Sequence, residues 1–262
     1  MKTNKETITL VKIGGNVISD SLALADVLND FSKMEGPKIL IHGGGNEASK
    51  LAKKIGLFPE MIDGRRITDS AMLDVAVMTY AGLLNKKIVV LLNALQNTAI
   101  GFCGADGNLI LSQKRENATI DFGFVGDVIS VNSSLLSKLI KQEIVPVFCA
   151  ITHDGKGQLL NTNADTIASE LAIALSEHYN VKLIYCFEKK GVLVNSADED
   201  SVIPNITLSK YKDLLNIGAI HSGMIPKLDN CFHALKKGVK NISIGHHSII
   251  GKPNSIHTTI QL

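Results

Sequence analysis

Short apolar runs alternate with amphipathic segments along most of the chain. The apolar runs predict strands at residues 8–13, 38–42, 144–150, 181–186 and 242–244. Helical spacing of apolar residues predicts helices at residues 21–34, 47–55, 70–84, 86–96, 135–141, 163–177 and 226–237. Strands that alternate with helices pair in parallel through right-handed crossovers, and strands that are apolar throughout are buried on both faces. The pattern therefore predicts an α/β fold, a three-layer α/β/α sandwich with a mainly parallel central sheet.

Residues 101–132 depart from this pattern. They are rich in Gly, Asp, Asn and Thr and carry short alternating runs, which predicts hairpins that project from the sheet. A length of 262 residues corresponds to about one or two domains. If there are two lobes, the break lies near residue 177, which gives an N-terminal lobe at residues 1–176 and a C-terminal lobe at residues 177–262.

Composition and charge narrow the class of protein. The apolar fraction of 45% excludes intrinsic disorder, and the net charge of +2 gives no support to a nucleic-acid or membrane binder. No apolar run approaches the roughly 18–20 residues that span a bilayer, and the N-terminus lacks the apolar core of a signal peptide. The four cysteines have no metal-ligand spacing and are expected to be free thiols. We expect a cytoplasmic protein.

A glycine turn follows the first predicted strand. Lys12 lies near the end of this strand and precedes Gly14 and Gly15. Ligands bind at the carboxyl ends of parallel strands, and a lysine in an apolar strand is costly unless its ammonium reaches water or an anion. Lys12 is therefore a candidate anion ligand, the alternative being an edge-strand lysine that faces solvent.

A second glycine turn follows the next strand. His42 is followed by three glycines and then by Asn46, a candidate N-cap for the following helix. Glycine N–H groups at a helix N-terminus suit a phosphate or a carboxylate. The turn also matches a dinucleotide-binding pattern weakly, through Gly43, Gly45 and Ala48.

Three further segments carry polar residues in unusual places. Residues 63–68 read Asp-Gly-Arg-Arg-Ile-Thr, and two arginines in a loop suit capture of a carboxylate or phosphate, unless they are a solvated pair. Asn161, Asn163 and Asp165 crowd one helix N-terminus, where an acid can also be a simple capping charge. Lys227 follows Pro226 in a first helical turn, where a cation is disfavoured by the helix dipole and is expected to face an anion.

Taken in order, these segments resemble the amino acid kinase family, and within it the members that act on N-acylglutamates. The resemblance runs from Leu10 to about Gly245 and is carried by Lys12-Ile-Gly-Gly, His42-Gly-Gly-Gly, Gly64-Arg-Arg-Ile-Thr68, Asn161-Thr-Asn-Ala-Asp165 and Gly223-Met-Ile-Pro-Lys227. It implies the amino acid kinase fold. It also implies ATP-dependent phosphorylation of the γ-carboxylate of N-acetyl-L-glutamate, or of a related N-acyl-L-glutamate such as N-succinyl, in arginine biosynthesis.

The resemblance also implies roles for single residues. Lys12 and Lys227 would stabilise charge on the transferred phosphoryl group, and Asp165 would orient both lysines. The substrate would be bound by Gly44, Gly45, Arg66 and Asn161. The ATP site would comprise Gly14, Gly15, Glu188, Lys189, Lys190, Gly191, Val192, Leu193, Ala219, Ile220 and His221. We expect no metal ligands in the protein, with Mg²⁺ held mainly by ATP.

Several positions depart from the family's pattern. Residues 186–191 read Cys-Phe-Glu-Lys-Lys-Gly, where the family usually has Asp-Val-x-Gly. The segment Ile220-His-Ser-Gly223 lacks the acidic residue that often precedes Gly-Met in the family. Arg65 replaces the usual apolar neighbour of Arg66. Two alternatives therefore stay open. One is another kinase of the family, acting on carbamate, glutamate, aspartate or UMP, and the other is a non-catalytic nucleotide or amino-acid sensor. Only 11 residues precede Lys12, too few for the N-terminal helix of arginine-regulated relatives, so we expect a homodimer without arginine feedback.

Overall fold

The computed structural model describes residues 5–62, 65–116, 119–195, 197–220, 224–252 and 254–262. The strands are β1 (Thr7–Ile13), β2 (Lys38–His42), β3 (Met61–Ile62), β4 (Arg65–Arg66), β5 (Ala99–Phe102), β6 (Ile110–Lys114), β7 (Gly126–Val131), β8 (Val145–Phe148), β9 (Ile151–His153), β10 (Leu159–Asn161), β11 (Asn180–Phe187), β12 (Asn205–Ile206), β13 (Asn241–His246) and β14 (Thr258–Ile260). The α-helices are α1 (Gly15–Ser19), α2 (Ser21–Ser32), α3 (Gly45–Lys54), α4 (Ser70–Val77), α5 (Asn85–Ala94), α6 (Ser133–Lys141), α7 (Ala164–Ser176), α8 (Leu208–Asn216) and α9 (Ile225–Lys236).

Eight strands form the central sheet, in the order β12-β14-β13-β11-β1-β2-β8-β5. Six of them, from β13 across to β5, pair in parallel throughout. The β13–β14 pair is antiparallel. The mainly parallel sheet predicted from the sequence is confirmed. Because β1 lies at its centre, the carboxyl ends of β1, β2, β8 and β11 meet along one edge.

Helices cover both faces of this sheet, as the sequence predicts. Side chains of β1 alternate between two apolar clusters, one with Ile8 and Leu10 and the other with Val11 and Ile13. The first cluster includes α7 and α9, and the second includes α2 and α5. Lys12 follows Leu10 by two residues and therefore lies on the face covered by α7.

The hairpins predicted for residues 101–132 are only part of the arrangement there. β6 and β7 do form an antiparallel hairpin, but β9 and β10 extend it into a second, four-stranded sheet. β5 instead forms the edge of the central sheet, where the sequence predicts no strand. Its signal is weak because Ile100 is exposed and Gly101 interrupts the apolar run. A Cβ at Gly101 would lie 1.7 Å from Oδ1 of Asn85, so the close packing of α5 on β5 requires glycine.

The helices predicted at residues 70–84 and 86–96 are one continuous helix. A π-helical segment (Met78–Leu84) joins α4 to α5, and Asn85, which separated the two predictions, is buried within the helix. In the described part of the chain this 25-residue helix is the one long and apolar enough to span a membrane, by length and composition alone. Its most apolar window is 44% buried, because one face packs on the sheet.

Candidate active site

Three charged side chains meet at the carboxyl end of β1. The Nζ of Lys12 lies 2.6 Å from Oδ1 of Asp165, and the Nζ of Lys227 lies 2.6 Å from Oδ2 of the same carboxylate. The three side chains are only 11–17% exposed, so both ion pairs are largely buried. One carboxylate thus holds two ammonium groups close together. The structure brings together the three residues that the family resemblance marks as catalytic.

The helix N-termini place two of these charges. Asn163 is the N-cap of α7, as predicted, and its side chain accepts a hydrogen bond from the backbone N–H of Asp165 at 2.8 Å. Asp165 therefore sits in the first turn, where the helix dipole favours an acid. Lys227 sits in the first turn of α9 beside Pro226, where the dipole disfavours a cation by about 0.3–1 kcal/mol. The Asp165 carboxylate offsets this cost.

The charges of the triad depend on one another. Burial alone would raise the pKa of Asp165, but the ammonium groups of Lys12 and Lys227 hold this pKa well below its usual value. Burial lowers the pKa of Lys12, and the Asp165 carboxylate opposes that shift. The carboxylate is therefore ionised at neutral pH, and it favours the charged form of Lys12.

Tyr185 contacts two members of the triad, Lys227 and Asp165. The sequence predictions did not include this residue. Its ring centroid lies 5.0 Å from Nζ of Lys227, within the range of a cation–π contact. Its hydroxyl donates to the backbone carbonyl of Asp165 at 3.1 Å and lies 3.0 Å from the hydroxyl of Ser169. A tyrosine within a mainly apolar strand is the sequence signal that could have identified it, because a buried tyrosine hydroxyl usually has a hydrogen-bond partner.

The second glycine turn begins α3 directly. The helix begins at Gly45 with Gly44 as its N-cap, so the prediction of Asn46 as the cap was wrong. The side chain of Asn46 instead donates to Oδ1 of Asn16 at 2.9 Å, which links the two glycine turns. A Cβ on Gly44 would lie 2.5 Å from the ring of Tyr80, so the π-helical segment packs directly on the turn.

A pocket of about 200 Å³ opens beside this turn and beside the N-terminus of α7. Its lining includes all four residues predicted to bind substrate, Gly44, Gly45, Arg66 and Asn161. The side-chain amide of Asn161 donates to the hydroxyl of Thr68 at 3.0 Å, which leaves its oxygen free of that contact. The pocket lining also includes Ala164, the residue before Asp165, so the pocket adjoins the triad.

Arg66 is the buried cation of this pocket. Its Nη2 donates to the carbonyl of Gly45 at 2.9 Å and to the hydroxyl of Ser49 at 2.7 Å. Its Nη1 is buried and has no partner among the residues that the structure describes. A buried donor of a charged group costs free energy unless it finds an acceptor, and a bound carboxylate would supply one.

Arg115 is a second cation in the pocket lining, and the sequence predictions missed it. Its guanidinium pairs with the carboxylate of Asp127 through Nε and Nη2 and lies over the ring of Phe122. These contacts hold the guanidinium in a fixed orientation. A lone arginine at the end of a hairpin strand has no motif around it, so the sequence offered no signal for its position.

A second pocket, of about 300 Å³, lies on the C-terminal side of the molecule. It is lined by six of the predicted ATP-site residues, Lys189, Gly191, Val192, Leu193, Ala219 and Ile220. Met224, directly before the first turn of α9, also lines it. Lys227 therefore stands close in sequence to the second pocket, while Asp165 adjoins the first.

The other predicted ATP-site residues lie elsewhere. Gly14 donates its N–H to the carbonyl of Cys186 at 3.0 Å, and Gly15 begins α1, so both lie at the end of β1 beside Lys12. Glu188 is exposed and does not line the second pocket. Lys190 is exposed and pairs with Asp200 at 2.6 Å. His221 lies outside the described residues.

Solved structures with the same fold include a nucleotide-bound kinase. Carbamate kinase from Giardia lamblia bound to AMP-PNP superposes with a TM-score of 0.70 at 14% identity, covering 99% of each chain. N-acetylglutamate synthase from Neisseria gonorrhoeae, complexed with coenzyme A and N-acetyl-glutamate, superposes with a TM-score of 0.82 at 19% identity, covering 98% of this chain and 59% of that one. At these identities the likeness shows the fold.

Closer relatives share far more of the sequence. Acetylglutamate kinase of Parabacteroides distasonis is 50% identical over 245 residues, which covers 94% of this chain and 96% of that protein. Acetylglutamate kinase of Phocaeicola vulgatus is 50% identical over 248 residues, which covers 95% and 96%. The model of the amino acid kinase family matches residues 7–246. This match, together with the fold and the lysine–aspartate triad, shows that the chain belongs to the amino acid kinase family.

Proposed function

We propose that the protein transfers the γ-phosphoryl group of ATP to the γ-carboxylate of N-acetyl-L-glutamate, a step of arginine biosynthesis. The observation that carries this proposal is the Asp165 carboxylate, which holds Lys12 and Lys227 beside a pocket with a buried arginine. Both relatives described above carry the name acetylglutamate kinase at 50% identity over nearly the whole chain.

The chemistry requires positioning and positive charge more than acid–base groups. One oxygen of the substrate carboxylate bonds to the γ-phosphorus, while the bond from phosphorus to the ADP oxygen breaks and its electron pair leaves with ADP. A carboxylate already carries the attacking electron pair, so no general base is needed. Lys12 and Lys227 supply positive charge for the phosphoryl oxygens, and Asp165 keeps the two ammonium groups oriented.

The substrate's other carboxylate finds a partner in Arg66. Its Nη1 is buried and without an acceptor among the described residues, and a planar guanidinium matches a carboxylate. The side-chain amide of Asn161 lines the same pocket and can bond to the polar atoms of the acylamide group. The N–H groups of Gly44 and Gly45 face the γ-carboxylate in this arrangement.

ATP is the phosphoryl donor of kinases of this family, and we place it in the pocket between Phe187 and Met224. Among the described residues, no three His, Cys, Asp or Glu side chains come together as a metal site. Asp165, the carboxylate nearest the reaction, is already shared between two lysines. This donor set fits a Mg²⁺ ion bound mainly through ATP phosphates and water. When bound, Mg²⁺ neutralises phosphate charge.

Arg115 favours a second candidate, an acyl group that carries its own carboxylate, such as N-succinyl. N-acetylglutamate has two carboxylates, and the N–H groups of the glycine turn and the guanidinium of Arg66 account for both. Arg115 lines the same pocket with a fixed guanidinium, so a third carboxylate would find a cation there. The two candidates differ in substrate and share the chemistry.

A hydroxylamine trap tests the function. Purified protein with ATP, Mg²⁺ and N-acetyl- or N-succinylglutamate is expected to yield a hydroxamate from the acyl phosphate. No product with either substrate would refute the proposal, and ADP release with carbamate, glutamate, aspartate or UMP instead would favour another kinase of the family. ATP binding without any turnover would favour a sensor.

A single substitution separates the two acyl groups. If the succinyl carboxylate contacts Arg115, then Arg115→Met should lower kcat/KM for N-succinylglutamate by about 10–100-fold, the value of one charged hydrogen bond. The same variant should change kcat/KM for N-acetylglutamate by less than about threefold, a difference too small for a charged hydrogen bond. Equal losses with both substrates would show that Arg115 only supports the pocket.

We also propose that the N-terminal lobe binds the acylglutamate and the C-terminal lobe binds ATP. We further propose that the protein is a cytoplasmic homodimer. Every residue of the acylglutamate pocket lies in residues 1–176, and every residue of the nucleotide pocket lies in residues 177–262. The α4–α5 helix and the edge strand β5 expose apolar side chains, including Val90, Leu91 and Ile100. A second copy of the chain would cover this surface.

A further inference from the structure

A buried polar network lies behind the glycine turn of the substrate pocket. His42, the last residue of β2, is fully buried, and its Nδ1 lies 2.8 Å from the carbonyl oxygen of Gly43. Its Nε2 lies 3.1 Å from Nδ2 of Asn85, the first residue of α5. Neither His42 nor Asn85 lines the pocket. The proposed chemistry leaves both residues without a role.

The surrounding donors fix which nitrogen of His42 carries the hydrogen. Nδ2 of Asn85 donates to the carbonyl of Val147 at 2.9 Å, and its second hydrogen is directed to Nε2 of His42. Oδ1 of Asn85 accepts from the ammonium of Lys86 at 3.2 Å, which fixes the orientation of the amide because an ammonium only donates. Nε2 is therefore an acceptor, and Nδ1–H donates to Gly43.

The ring stays neutral in this arrangement. Burial lowers the pKa of His42 to about 4, so the imidazole carries one hydrogen at neutral pH. A neutral ring with its hydrogen on Nδ1 makes a directed bond to one carbonyl and adds no charge beneath the pocket. The geometry of the network, with two partners on opposite ring nitrogens, is what determines this state.

The bond to Gly43 determines where the next N–H group points. The carbonyl of Gly43 and the N–H of Gly44 belong to one planar peptide, and in a trans peptide they point in opposite directions. Holding the carbonyl towards the buried ring therefore directs the N–H of Gly44 away from it, towards the pocket that Gly44 lines. Within the described residues, that N–H donates to no protein acceptor.

We propose that His42 and Asn85 are positioning residues, which orient the N–H of Gly44 towards the carboxylate that receives the phosphoryl group. This inference rests on the proposed function, because it takes the acylglutamate as the acceptor of that N–H. His42 acts through the Gly43 peptide and touches neither substrate nor ATP.

Two substitutions of His42 distinguish positioning from a purely structural role. The amide of His42→Asn can place a donor where Nδ1 stands, whereas His42→Leu fills the site with apolar atoms and has no donor. Packing favours leucine in this buried position, so the structural role predicts that the leucine variant is the better enzyme. Positioning predicts the reverse order, with kcat lowered roughly 10–100-fold in His42→Leu, by analogy with loss of one transition-state donor, and largely retained in His42→Asn.

Asn85 has a matched control on the same helix. Asn93 also bonds to a strand backbone, through the N–H and carbonyl of Ala99 at 3.0 and 3.2 Å, but it lies far from the glycine turn in sequence and touches no residue of it. Asn85→Ala removes buried hydrogen bonds, and Asn93→Ala removes partly buried ones. We expect kcat to fall at least about fivefold in Asn85→Ala only, a smaller loss than for removal of a donor itself.

The experiment combines steady-state kinetics with ¹⁵N NMR of the histidine ring. In the wild-type protein, Nε2 of His42 should resonate as an unprotonated nitrogen and Nδ1 as a protonated one. A protonated Nε2, or equal kcat in the leucine and asparagine variants, would overturn the inference. An inactive wild-type protein would instead refute the proposed function, and the NMR spectrum would then decide the hydrogen bonding by itself.

Discussion

At the scale of single residues, one carboxylate organises the catalytic charge. Asp165 shares its two oxygens between Lys12 and Lys227, so neither ammonium needs a separate counter-ion before ATP arrives. Two cations this close would repel each other without the carboxylate, and burial would favour loss of the Lys12 proton. The triad is therefore a site prepared for the charge of a phosphoryl group.

The first prediction concerns the two lysines. Lys12→Ala or Lys227→Ala should lower kcat by about 10²–10³-fold, because each removes one donor that stabilises the transition state. Steady-state kinetics with saturating ATP measure this. Lys236→Ala, an exposed lysine on the same helix as Lys227, should leave kcat unchanged. An unchanged kcat in Lys12→Ala or Lys227→Ala would contradict the role given to that lysine.

The second prediction concerns stability and pH. In Asp165→Asn the two lysines lose their partner, which should lower the free energy of unfolding by about 3–5 kcal/mol at neutral pH. Burial already lowers the pKa of Lys12, and without the carboxylate this pKa lies further below that of the unfolded chain, so the unfolded state binds more protons. The stability of the variant should therefore rise with pH above neutrality.

The wild-type protein should respond to acid instead. The pKa of Asp165 is lower in the folded state, so its contribution is present above the unfolded pKa of about 4 and is lost as the pH falls further. Urea denaturation at a series of pH values measures both curves. A variant whose stability falls as the pH rises above neutrality would contradict the charge balance inferred for the triad.

At the scale of elements, the helix from Ser70 to Ala94 connects the sheet to the substrate pocket. Its π-helical segment carries Tyr80 and Leu84 against Gly44, while α5 places Asn85 against β2 and β8. π-Helical turns inside α-helices are frequent at functional sites. Here the segment packs against the glycine turn that begins α3.

The third prediction follows from this contact. Gly44→Ala should lower the free energy of unfolding by about 1–3 kcal/mol and reduce activity, because the new Cβ would overlap Tyr80 and Leu84. Gly82→Ala is the matched control within the π-helical segment, since its Cβ meets nothing closer than 3.9 Å. Thermal unfolding and steady-state kinetics of both variants test this prediction. Equal stability and equal activity of the two variants would contradict the close packing at Gly44.

Much at this scale could be predicted from the sequence, but not the joins between elements. Asn163 as the cap of α7 and Pro226 at the start of α9 follow local rules, and both predictions are confirmed. Asn85 lies between the two helices predicted at residues 70–84 and 86–96, whereas the structure has one continuous helix. The side chain of Asn85 is buried, and it bonds to the carbonyl of Val147 and to the ring of His42. Only folding brings these partners close to it. Arg115 was missed for the same reason.

At the scale of the whole molecule, alternating strands and helices were sufficient to predict the fold. The central parallel sheet and its two helical layers are as expected, and the family match confirms the assignment. The second sheet was incompletely predicted because β9 and β10 are only three residues long each. The apolar pattern also does not predict that the helix from Ser70 to Ala94 and β5 leave an apolar stripe exposed, formed by Val90, Leu91 and Ile100.

The fourth prediction concerns that stripe. Val90 is 62% exposed on α5, and a charge there should be incompatible with a dimer that buries the stripe. Val90→Glu should therefore convert the dimer to a monomer in sedimentation velocity measurements. Ile217→Glu, at an equally exposed apolar residue after α8, should leave the dimer intact. A wild-type monomer, or a dimer that persists in Val90→Glu, would contradict the assignment of this surface.

The ion pairs of Asp165 also constrain how the lobes can move. In the proposed division of the chain, Lys12 and Asp165 lie in the lobe at residues 1–176, whereas Lys227 lies in the first turn of α9, in the lobe at residues 177–262. Separating the lobes at this point would leave a largely buried carboxylate and ammonium without partners. Release of the nucleotide should therefore proceed by rotation about the start of α9, with Lys227 as the pivot. The catalytic centre would then be the part of the cleft that moves least.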